Sequence, residues 1–244
     1  MDKTSSLTGC LICGKALVYS KIAYEAVCLG CGKRFMTNAE CEDGHFICDE
    51  CHASGSLPVI FFRCGEAKGR DPYLIARELM LHPAVHMHGP ENHVLIGSAL
   101  LAACRNCGWE FDLPEALATM RERGSQLPGG ICGFWGCCGA AVSAGIFLSI
   151  VTGGTPLNAA SRKMSNLLTS ECLKETSAYS GARCCKRDGF LALRTAVTFV
   201  AEHYGFRMEL PEKIICSFSQ RNTECIKNDC PFFANGDVRN FSKP

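Results

Sequence analysis

The chain has little net charge and no long hydrophobic run. Its 25 Lys and Arg residues nearly balance its 24 Asp and Glu residues, and the net charge of +1 argues against a strongly basic nucleic-acid binder. The longest apolar stretch, residues 140–151, is too short to cross a bilayer. No apolar run follows the first residues either. We therefore expect no membrane partner, no signal peptide and a cytoplasmic location.

Composition divides the 244 residues into three regions. Residues 1–56 are polar and dense in cysteine, and they are predicted to form a small zinc-binding module. Residues 57–205 carry small apolar residues in a helix-like pattern, and residues 206–244 form a cysteine-bearing tail of short irregular segments. The segment 54–56, followed by Pro58, is the predicted linker between the first two regions.

We predict that the middle region is mainly α, because its sequence carries clear signals for helix starts and ends. Asp71 before Pro72, and Asp112 before a Leu-Pro pair, are N-cap signals, and Gly205 is a C-terminal stop. Thr155 before a proline predicts another N-cap. We predict helices over residues 72–80, 91–103, 113–124, 137–152, 156–173 and 188–204, with brief strands at 59–62 and 214–216. The predicted fold class is a mainly α helical domain with a small N-terminal zinc-binding module.

The 19 cysteines are the strongest compositional signal. In a short secreted protein this density would indicate a disulfide scaffold. Here the count is odd and many cysteines come as Cys-x-x-Cys pairs, which is the spacing of metal ligands. We therefore predict reduced cysteines that bind metal in a reducing compartment.

Four ligand pairs in residues 1–56 supply two tetrahedral zinc sites. The pairs are Cys10 and Cys13, Cys28 and Cys31, Cys41 and His45, and Cys48 and Cys51. Gly14 and Gly32 follow the first two pairs, where such a turn often needs a positive φ. Structural zinc would replace the apolar core that so short a polar segment lacks. The module could also bind RNA or a protein partner, although its acidic lean argues against gripping phosphates.

The eight ligands can be grouped in two ways. Sequential pairing joins the first pair with the second and the third with the fourth. The spacing also resembles a cross-braced RING or treble-clef module, and that resemblance implies one ion on Cys28, Cys31, Cys48 and Cys51. The other ion would then bind Cys10, Cys13, Cys41 and His45. His52 is expected to be a surface neighbour rather than a ligand.

Three further segments place thiols at the ends of small-residue helices. Cys137 precedes a run of Gly, Ala and Ser, Cys172 lies late in the next predicted helix, and Cys184 comes before the last one. Small residues let helices approach closely and leave room for an inorganic cofactor, and a helix N-terminus favours a thiolate. The adjacent thiols of Cys138 and Cys185 leave the assignment open.

These segments resemble the α-chain of iron–sulfur L-serine dehydratases and the related cysteine desulfidases. The matching residues are Gly136-Cys137, the Gly-Gly-Thr-Pro of 153–156, Cys172, and Cys184 to Asp188. The resemblance covers residues 83–200 and implies a mainly α domain with a 4Fe–4S cluster on Cys137, Cys172 and Cys184, one iron being open to substrate. It also implies that Asn92 lies in a substrate pocket. The whole chain also looks like an uncharacterised cysteine-rich family of methanogens and other anaerobes.

An open iron is a Lewis acid that makes a hydroxyl or thiol a better leaving group. The resemblance therefore implies a non-redox lyase that eliminates from a small hydroxy- or thiol-amino acid, or sulfur handling at that iron. His86, His88 and His93 are candidate bases, and Arg187 could bind a substrate carboxylate. The family's substrate-gripping small domain has no counterpart here. The alternative function is a zinc-dependent RNA- or protein-binding module whose helical cysteines are structural.

The remaining cysteines allow a second metal centre. Cys104 and Cys107 form another Cys-x-x-Cys pair, and the tail carries Cys216, Cys225 and Cys230, the last of them before a proline. The three tail thiols and one thiol of that pair would complete a four-thiolate site for zinc or an iron–sulfur cluster. A tail cysteine could instead fold over and occupy the open iron of the predicted cluster.

Overall fold

The computed structural model describes residues 9–234, which form a small antiparallel hairpin followed by a helical body. The hairpin consists of β1 (Leu17–Val27) and β2 (Arg34–Cys41). The helices are α1 (Asp49–Ala53), α2 (Ser56–Glu66), α3 (Pro72–Leu81), α4 (Glu91–Asn106), α5 (Leu113–Gly124), α6 (Ile131–Phe134), α7 (Gly139–Val151), α8 (Ala159–Ser177) and α9 (Cys185–Tyr204). Single 3₁₀ turns follow at Ser219–Arg221 and Lys227–Asp229. The predicted fold class, a mainly α domain with a small cysteine-rich N-terminal module, is confirmed.

The hairpin has no apolar core of its own. β1 and β2 pair antiparallel from Leu17 opposite Cys41 to Val27 opposite Arg34, with one register shift between. Ile22, near the middle of β1, is 82% exposed. Within residues 9–55, the buried apolar side chains are those of Ala53 and of Cys10, Cys28, Cys41 and Cys48. An isolated two-stranded hairpin is marginal in water, so this one depends on the cysteine-rich loops at its ends.

α4 forms the centre of the helical body. It is buried along nearly its whole length and packs against α2, α3, α5, α7 and α9. A Cβ on Gly97 of α4 would lie 3.0 Å from the Ser143 carbonyl oxygen of α7. One on Gly145 of α7 would lie 3.2 Å from the Ser165 carbonyl oxygen of α8, so small residues set the spacing of these three helices. No helix within residues 9–234 combines the length and apolar character needed to cross a membrane.

Three helix termini follow the predicted signals, among them the N-cap Asp112 of α5, and a fourth does not. Asp71 caps α3, and Gly205 ends α9 with a φ of 78°. The prediction that Thr155 caps the following helix is wrong, because α8 begins at Ala159 and its N-cap is Asn158. The hydroxyl oxygen of Thr155 instead accepts a hydrogen bond from the backbone N–H of Asn158, in the turn before the helix.

Neither predicted strand forms. Residues 59–62 lie inside α2, where Ile60 is fully buried and Phe62 is 68% exposed. A short apolar run does not by itself distinguish a strand from a helix, and here the core-facing residues recur at helical spacing. The segment 214–216 contributes only a single bridge, from Cys216 to Phe233.

The predicted linker is a tight turn. α1 ends at Ala53 and α2 begins at Ser56, whose hydroxyl donates a hydrogen bond to the Ala53 carbonyl oxygen at 2.9 Å. Glycine and serine are as typical of short turns between helices as they are of flexible linkers. The N-terminal module therefore runs directly into the helical body.

Aromatic side chains hold the tail on α3 and α9. The hydroxyl of Tyr73 donates to the Ile215 carbonyl oxygen at 2.9 Å. The ring of Phe190 on α9 lies 6.4 Å from that of Phe218 and 5.6 Å from that of Phe232. Residues 235–244 of the predicted tail region lie outside the described residues. This packing brings the tail cysteines beside the N-terminus of α9.

Replacing Asp71 by Ala should lower the free energy of unfolding by about 1 kcal/mol, because two backbone N–H groups at the start of α3 lose their acceptor. Denaturant unfolding followed by circular dichroism measures the change. Glu122→Ala, on the exposed side of α5, is the control and should change stability by less than about 0.5 kcal/mol. Equal stabilities of the two variants would contradict the capping role.

Candidate metal centres

Two groups of metal ligands occupy the N-terminal module. One consists of Cys10, Cys13, Cys41 and His45, the other of Cys28, Cys31, Cys48 and Cys51, and within each group all ligand atoms lie within 4.8 Å of one another. The structure therefore brings the eight side chains together in the cross-braced grouping. Gly14 and Gly32 have φ values of 77° and 71°, as predicted for the turns that follow two of the pairs. Either group could bind a metal ion.

The spacing within each group fits a single tetrahedral ion. The Sγ atoms of Cys13 and Cys41 are 3.8 Å apart, and those of Cys31 and Cys48 are 3.9 Å apart. Backbone N–H groups of the same loops donate to several of the sulfurs at 3.2 to 3.4 Å. Burial alone would raise the pKa of Cys28, but these donors outweigh it and lower that pKa to about 6. These donors therefore stabilise the thiolate of Cys28.

A further group of thiols lies where the tail meets the N-terminus of α9. One small cavity there is lined by Cys184, Cys216, Cys225 and Cys230. Backbone N–H groups point at the sulfurs of the first three, at 3.3 to 3.4 Å. The side-chain amide of Asn222 also donates to the Cys184 sulfur at 3.6 Å. Such donors stabilise sulfur that carries negative charge, as metal-bound thiolates do.

Burial affects the protonation of these tail-site thiols. It raises the pKa of Cys184 and Cys230, and it raises that of Cys216 to about 12. Metal binding would therefore release protons from these thiols. The four thiols are not among the described groups whose ligand atoms all lie within 4.8 Å of one another.

The three cysteines predicted to hold an open-iron cluster do not all line this cavity. Of Cys137, Cys172 and Cys184, only Cys184 does so. Cys172 is fully buried, and its sulfur lies 3.8 Å from the Ala192 carbonyl oxygen. Cys137 is half-buried just before α7. The three-cysteine ligand set stays a prediction.

The Cys-x-x-Cys pair predicted to join the tail cysteines lies elsewhere. Neither Cys104 nor Cys107 lines the tail cavity. Cys104 is buried in the core, and the Cys107 thiol donates to the Arg207 carbonyl oxygen at 3.3 Å. The structure places Cys184 beside the tail thiols in the position predicted for one member of that pair.

A larger cavity lies between the module and the helical body. Its volume is about 390 Å³, within the range of small-molecule sites. Cys48 and His52 of the module line one side, and His88, Gly89 and His93 line the other. Two of the predicted catalytic histidines therefore face a cavity large enough for a small ligand.

His88 connects this cavity with the tail thiols. Its Nε2 lies 3.2 Å from Oδ1 of Asn222, the same residue whose amide nitrogen donates to the sulfur of Cys184. Its Nδ1 has no hydrogen-bond partner among the described residues. Burial and the nearby charge of Arg183 lower the pKa of His88 to about 4, so the ring is neutral at pH 7. With Nε2 donating to Asn222, Nδ1 is the unprotonated ring nitrogen, and it is buried.

The ring of His93 is fixed by a hydrogen bond and by close packing. Its Nδ1 donates to the Leu127 carbonyl oxygen at 3.1 Å. Its ring lies against the start of α7, where a Cβ on Gly139 would come within 2.2 Å of it. Burial lowers the pKa of His93. The close packing favours a positioning role for this ring over proton transfer.

The side chains of the other two residues predicted to contact a substrate are hydrogen-bonded to neighbouring side chains of the protein. Arg187 donates from Nε to Oδ1 of Asp188 at 2.8 Å. Oδ1 of Asn92 accepts a hydrogen bond from Nζ of Lys186 at 3.0 Å. Lys186 is almost fully buried, which the sequence did not predict because lysine is normally a surface residue. Binding of a substrate by Arg187 or Asn92 would require these contacts to rearrange.

The carboxylate of Glu91 contacts two histidines at the junction between the N-terminal module and the helical body. Its side chain is fully buried, with Oε1 at 2.9 Å from Nδ1 of His86 and Oε2 at 3.1 Å from Nδ1 of His52. Burial alone would raise the pKa of Glu91, but hydrogen bonds from His52 and His86 outweigh it and lower that pKa to about 2. All three ligand atoms lie within 4.8 Å of one another, so this group could also bind a metal ion. No motif predicts it, because His52 and Glu91 are 39 residues apart.

Comparison with known proteins identifies a family whose function is unknown. A family model described as "Family of unknown function (DUF5714)" matches residues 60–233. No curated protein and no solved structure matches the chain. The matched range contains the four tail-site cysteines, His86 and Glu91, and it excludes His52 and the rest of the module. Nothing in these comparisons ties the chain to the serine dehydratases, so that resemblance stays a prediction.

Proposed function

Since the chain belongs to a family of unknown function (DUF5714), we propose its activity from its own residues: it is an iron–sulfur protein that performs redox chemistry on a small molecule. In this proposal a 4Fe–4S cluster is held by Cys184, Cys216, Cys225 and Cys230, and the N-terminal module holds two zinc ions. The observation that carries the proposal is the convergence of these four thiols, distant in the chain, on one cavity.

The surroundings of the four thiols support a cluster. Backbone N–H groups reach three of the sulfurs, and the N-terminus of the long helix α9 adds the positive end of its peptide dipoles. Pro231 follows Cys230, and a proline after a ligand cysteine is common at iron–sulfur sites. A cluster bound by four thiolates supplies one-electron transfer, because each iron already has a protein ligand.

Zinc suits the N-terminal groups better than a cluster does. Zn–S bonds of about 2.3 Å in a tetrahedron place the sulfurs about 3.8 Å apart. The Cys13–Cys41 and Cys31–Cys48 sulfur pairs are 3.8 and 3.9 Å apart. A cluster would hold its thiolates farther apart than this. We therefore assign the module two structural zinc ions.

The cavity between module and body is the proposed substrate site. Its volume of about 390 Å³ admits a small molecule. A hydrogen-bonded path through His88 and Asn222 leads from the cavity to the sulfur of Cys184. His88 would contact such a molecule as a neutral ring, because burial and the charge of Arg183 lower its pKa to about 4.

The non-redox lyase is the second candidate, because Cys184 belongs to both ligand sets. It requires Cys137 and Cys172 as the other ligands, so that one iron stays open to a hydroxy- or thiol-amino acid. It also requires Arg187 to leave Asp188 in order to bind the substrate carboxylate. The two candidates differ in which cysteines hold the iron, and substitutions separate them.

Anaerobic purification of the full chain tests the proposal. We expect brown protein with about four irons and four sulfides per chain besides zinc, and a paramagnetic signal after one-electron reduction. Ammonia and pyruvate formed from serine or cysteine would instead support the lyase. Colourless protein that holds zinc alone would contradict both and favour an RNA- or protein-binding module.

A further inference from the structure

We propose that His52, His86 and Glu91 bind one divalent transition-metal ion at the junction between the module and the helical body. Nδ1 of each histidine and a carboxylate oxygen of Glu91 supply the ligands. None of these residues belongs to the two cysteine-rich groups of the module or to the tail site. The proposal is therefore independent of the iron–sulfur cluster.

The geometry of the three side chains carries the inference. The carboxylate oxygens lie 2.9 Å from Nδ1 of His86 and 3.1 Å from Nδ1 of His52, and all three ligand atoms lie within 4.8 Å of one another. Two imidazoles and one carboxylate are a donor set that zinc and iron(II) bind in many enzymes. The carboxylate of Glu91 also accepts a hydrogen bond from the His86 backbone N–H at 3.0 Å, which fixes its orientation.

The carboxylate at this junction contacts two histidine rings and no lysine or arginine among the described ion pairs. The Glu91 side chain is fully buried. Lys186, the nearest buried amine, donates instead to the His86 carbonyl oxygen at 2.8 Å and to Asn92 Oδ1 at 3.0 Å. The rings of His52 and His86 are edge to face, with centroids 4.4 Å apart, so both imidazoles approach the same carboxylate. A divalent ion held between the two imidazoles and the carboxylate would compensate this buried negative charge.

Gly89 makes room for the close approach of the ligands. A Cβ at this position would lie 2.2 Å from Oε2 of Glu91 and 2.3 Å from Cε1 of His52. Gly89 and His52 also line the cavity between module and body. Three protein ligands leave at least one position on the ion for water or a ligand from that cavity, which is the arrangement of catalytic rather than structural metal sites.

Metal content and cobalt binding of the full chain, purified anaerobically with its other metals in place, test the proposal. The wild-type chain should hold about one divalent ion more than Glu91→Gln. Cobalt(II) added to wild-type chain depleted of this ion should give weak visible absorption without a sulfur-to-cobalt charge-transfer band. His86→Ala should weaken that cobalt binding by at least about 100-fold, because a ligand is lost.

His203→Ala is the matched control. His203 is exposed on the last turn of α9, and its ring packs against that of Phe199 with centroids 4.3 Å apart. This variant should bind cobalt like the wild type. If Glu91→Gln does not fold, the half-buried His86 makes His86→Ala the deciding variant. A hydrogen-bonded bridge without metal predicts lower thermal stability for Glu91→Gln with unchanged metal content and cobalt spectrum, and that result would overturn the proposal.

Discussion

Replacing Cys216 by Ser should abolish the iron chromophore and lower iron and sulfide content more than about tenfold, while both module zinc ions stay bound. Cys216 lies on the tail side of the cavity, and its sulfur accepts a hydrogen bond from the backbone N–H of Phe218 at 3.3 Å. A serine hydroxyl is a much weaker iron ligand than a thiolate. Iron, sulfide and zinc analysis after anaerobic purification measures the effect.

Cys107→Ser and Cys172→Ala are the controls, because neither cysteine belongs to the proposed four-thiolate site. Cys107 does not line the tail cavity, so its variant should keep the full iron content. Cys172 is fully buried in the core, so its truncation should cost stability, about 1 to 3 kcal/mol, and leave the chromophore in place. Cys184→Ser should lose the chromophore under either ligand set.

The opposite pattern of iron content in these variants would contradict the four-thiolate site. If Cys216→Ser kept its iron and Cys172→Ala lost it, the cluster would be bound by the three cysteines of the dehydratase resemblance. One iron would then be open, and elimination rather than electron transfer would be the chemistry to assay. The tail would in that case be a structural cover over α9, held by Phe218 and Phe232.

Features that depend on close neighbours in the chain could be predicted from the sequence. Asp71 and Asp112 cap α3 and α5 by accepting backbone N–H groups two or three residues ahead. Cys-x-x-Cys loops and the glycines that follow them are equally local, and the structure brings those cysteines together. The hairpin could not be predicted in this way, since no residue of β1 is buried and the strand shows no hydrophobic alternation.

Sites that are assembled from distant segments of the chain could not be predicted from local sequence patterns. Cys184 joins Cys216 only because aromatic packing folds the tail back onto α9. Cysteine spacing indicates a ligand but not its partner. The resemblance therefore groups Cys184 with Cys137 and Cys172, and the prediction of a second metal centre groups the tail thiols with Cys104 or Cys107. His52 meets Glu91 because α1 docks against the start of α4, a contact that no local signal encodes.

Removing zinc with a strong chelator should unfold the N-terminal module and leave the helical body folded. Within residues 9–55 the buried apolar side chains are Ala53 and four of the cysteines that could bind metal, so the proposed zinc ions would take the place of a core. Structural zinc contributes about 10–16 kcal/mol of apparent binding free energy, far more than a two-stranded hairpin could replace. Limited proteolysis should then cut within residues 9–55 while residues 60–233 stay protected.

Because the two ligand groups interleave along the chain, one substitution should affect both ions. Cys28 belongs to the second group, but its loop lies between the Cys13 and Cys41 loops of the first. Cys28→Ser should therefore lower zinc from about two ions per chain to well below one, whereas sequential sites would keep one. Cys132→Ser, an exposed cysteine outside both groups, should keep both ions. A Cys28→Ser chain that retained one tightly bound zinc and a protease-resistant module would show that the two sites fold independently and that the cross-brace is not what holds the hairpin.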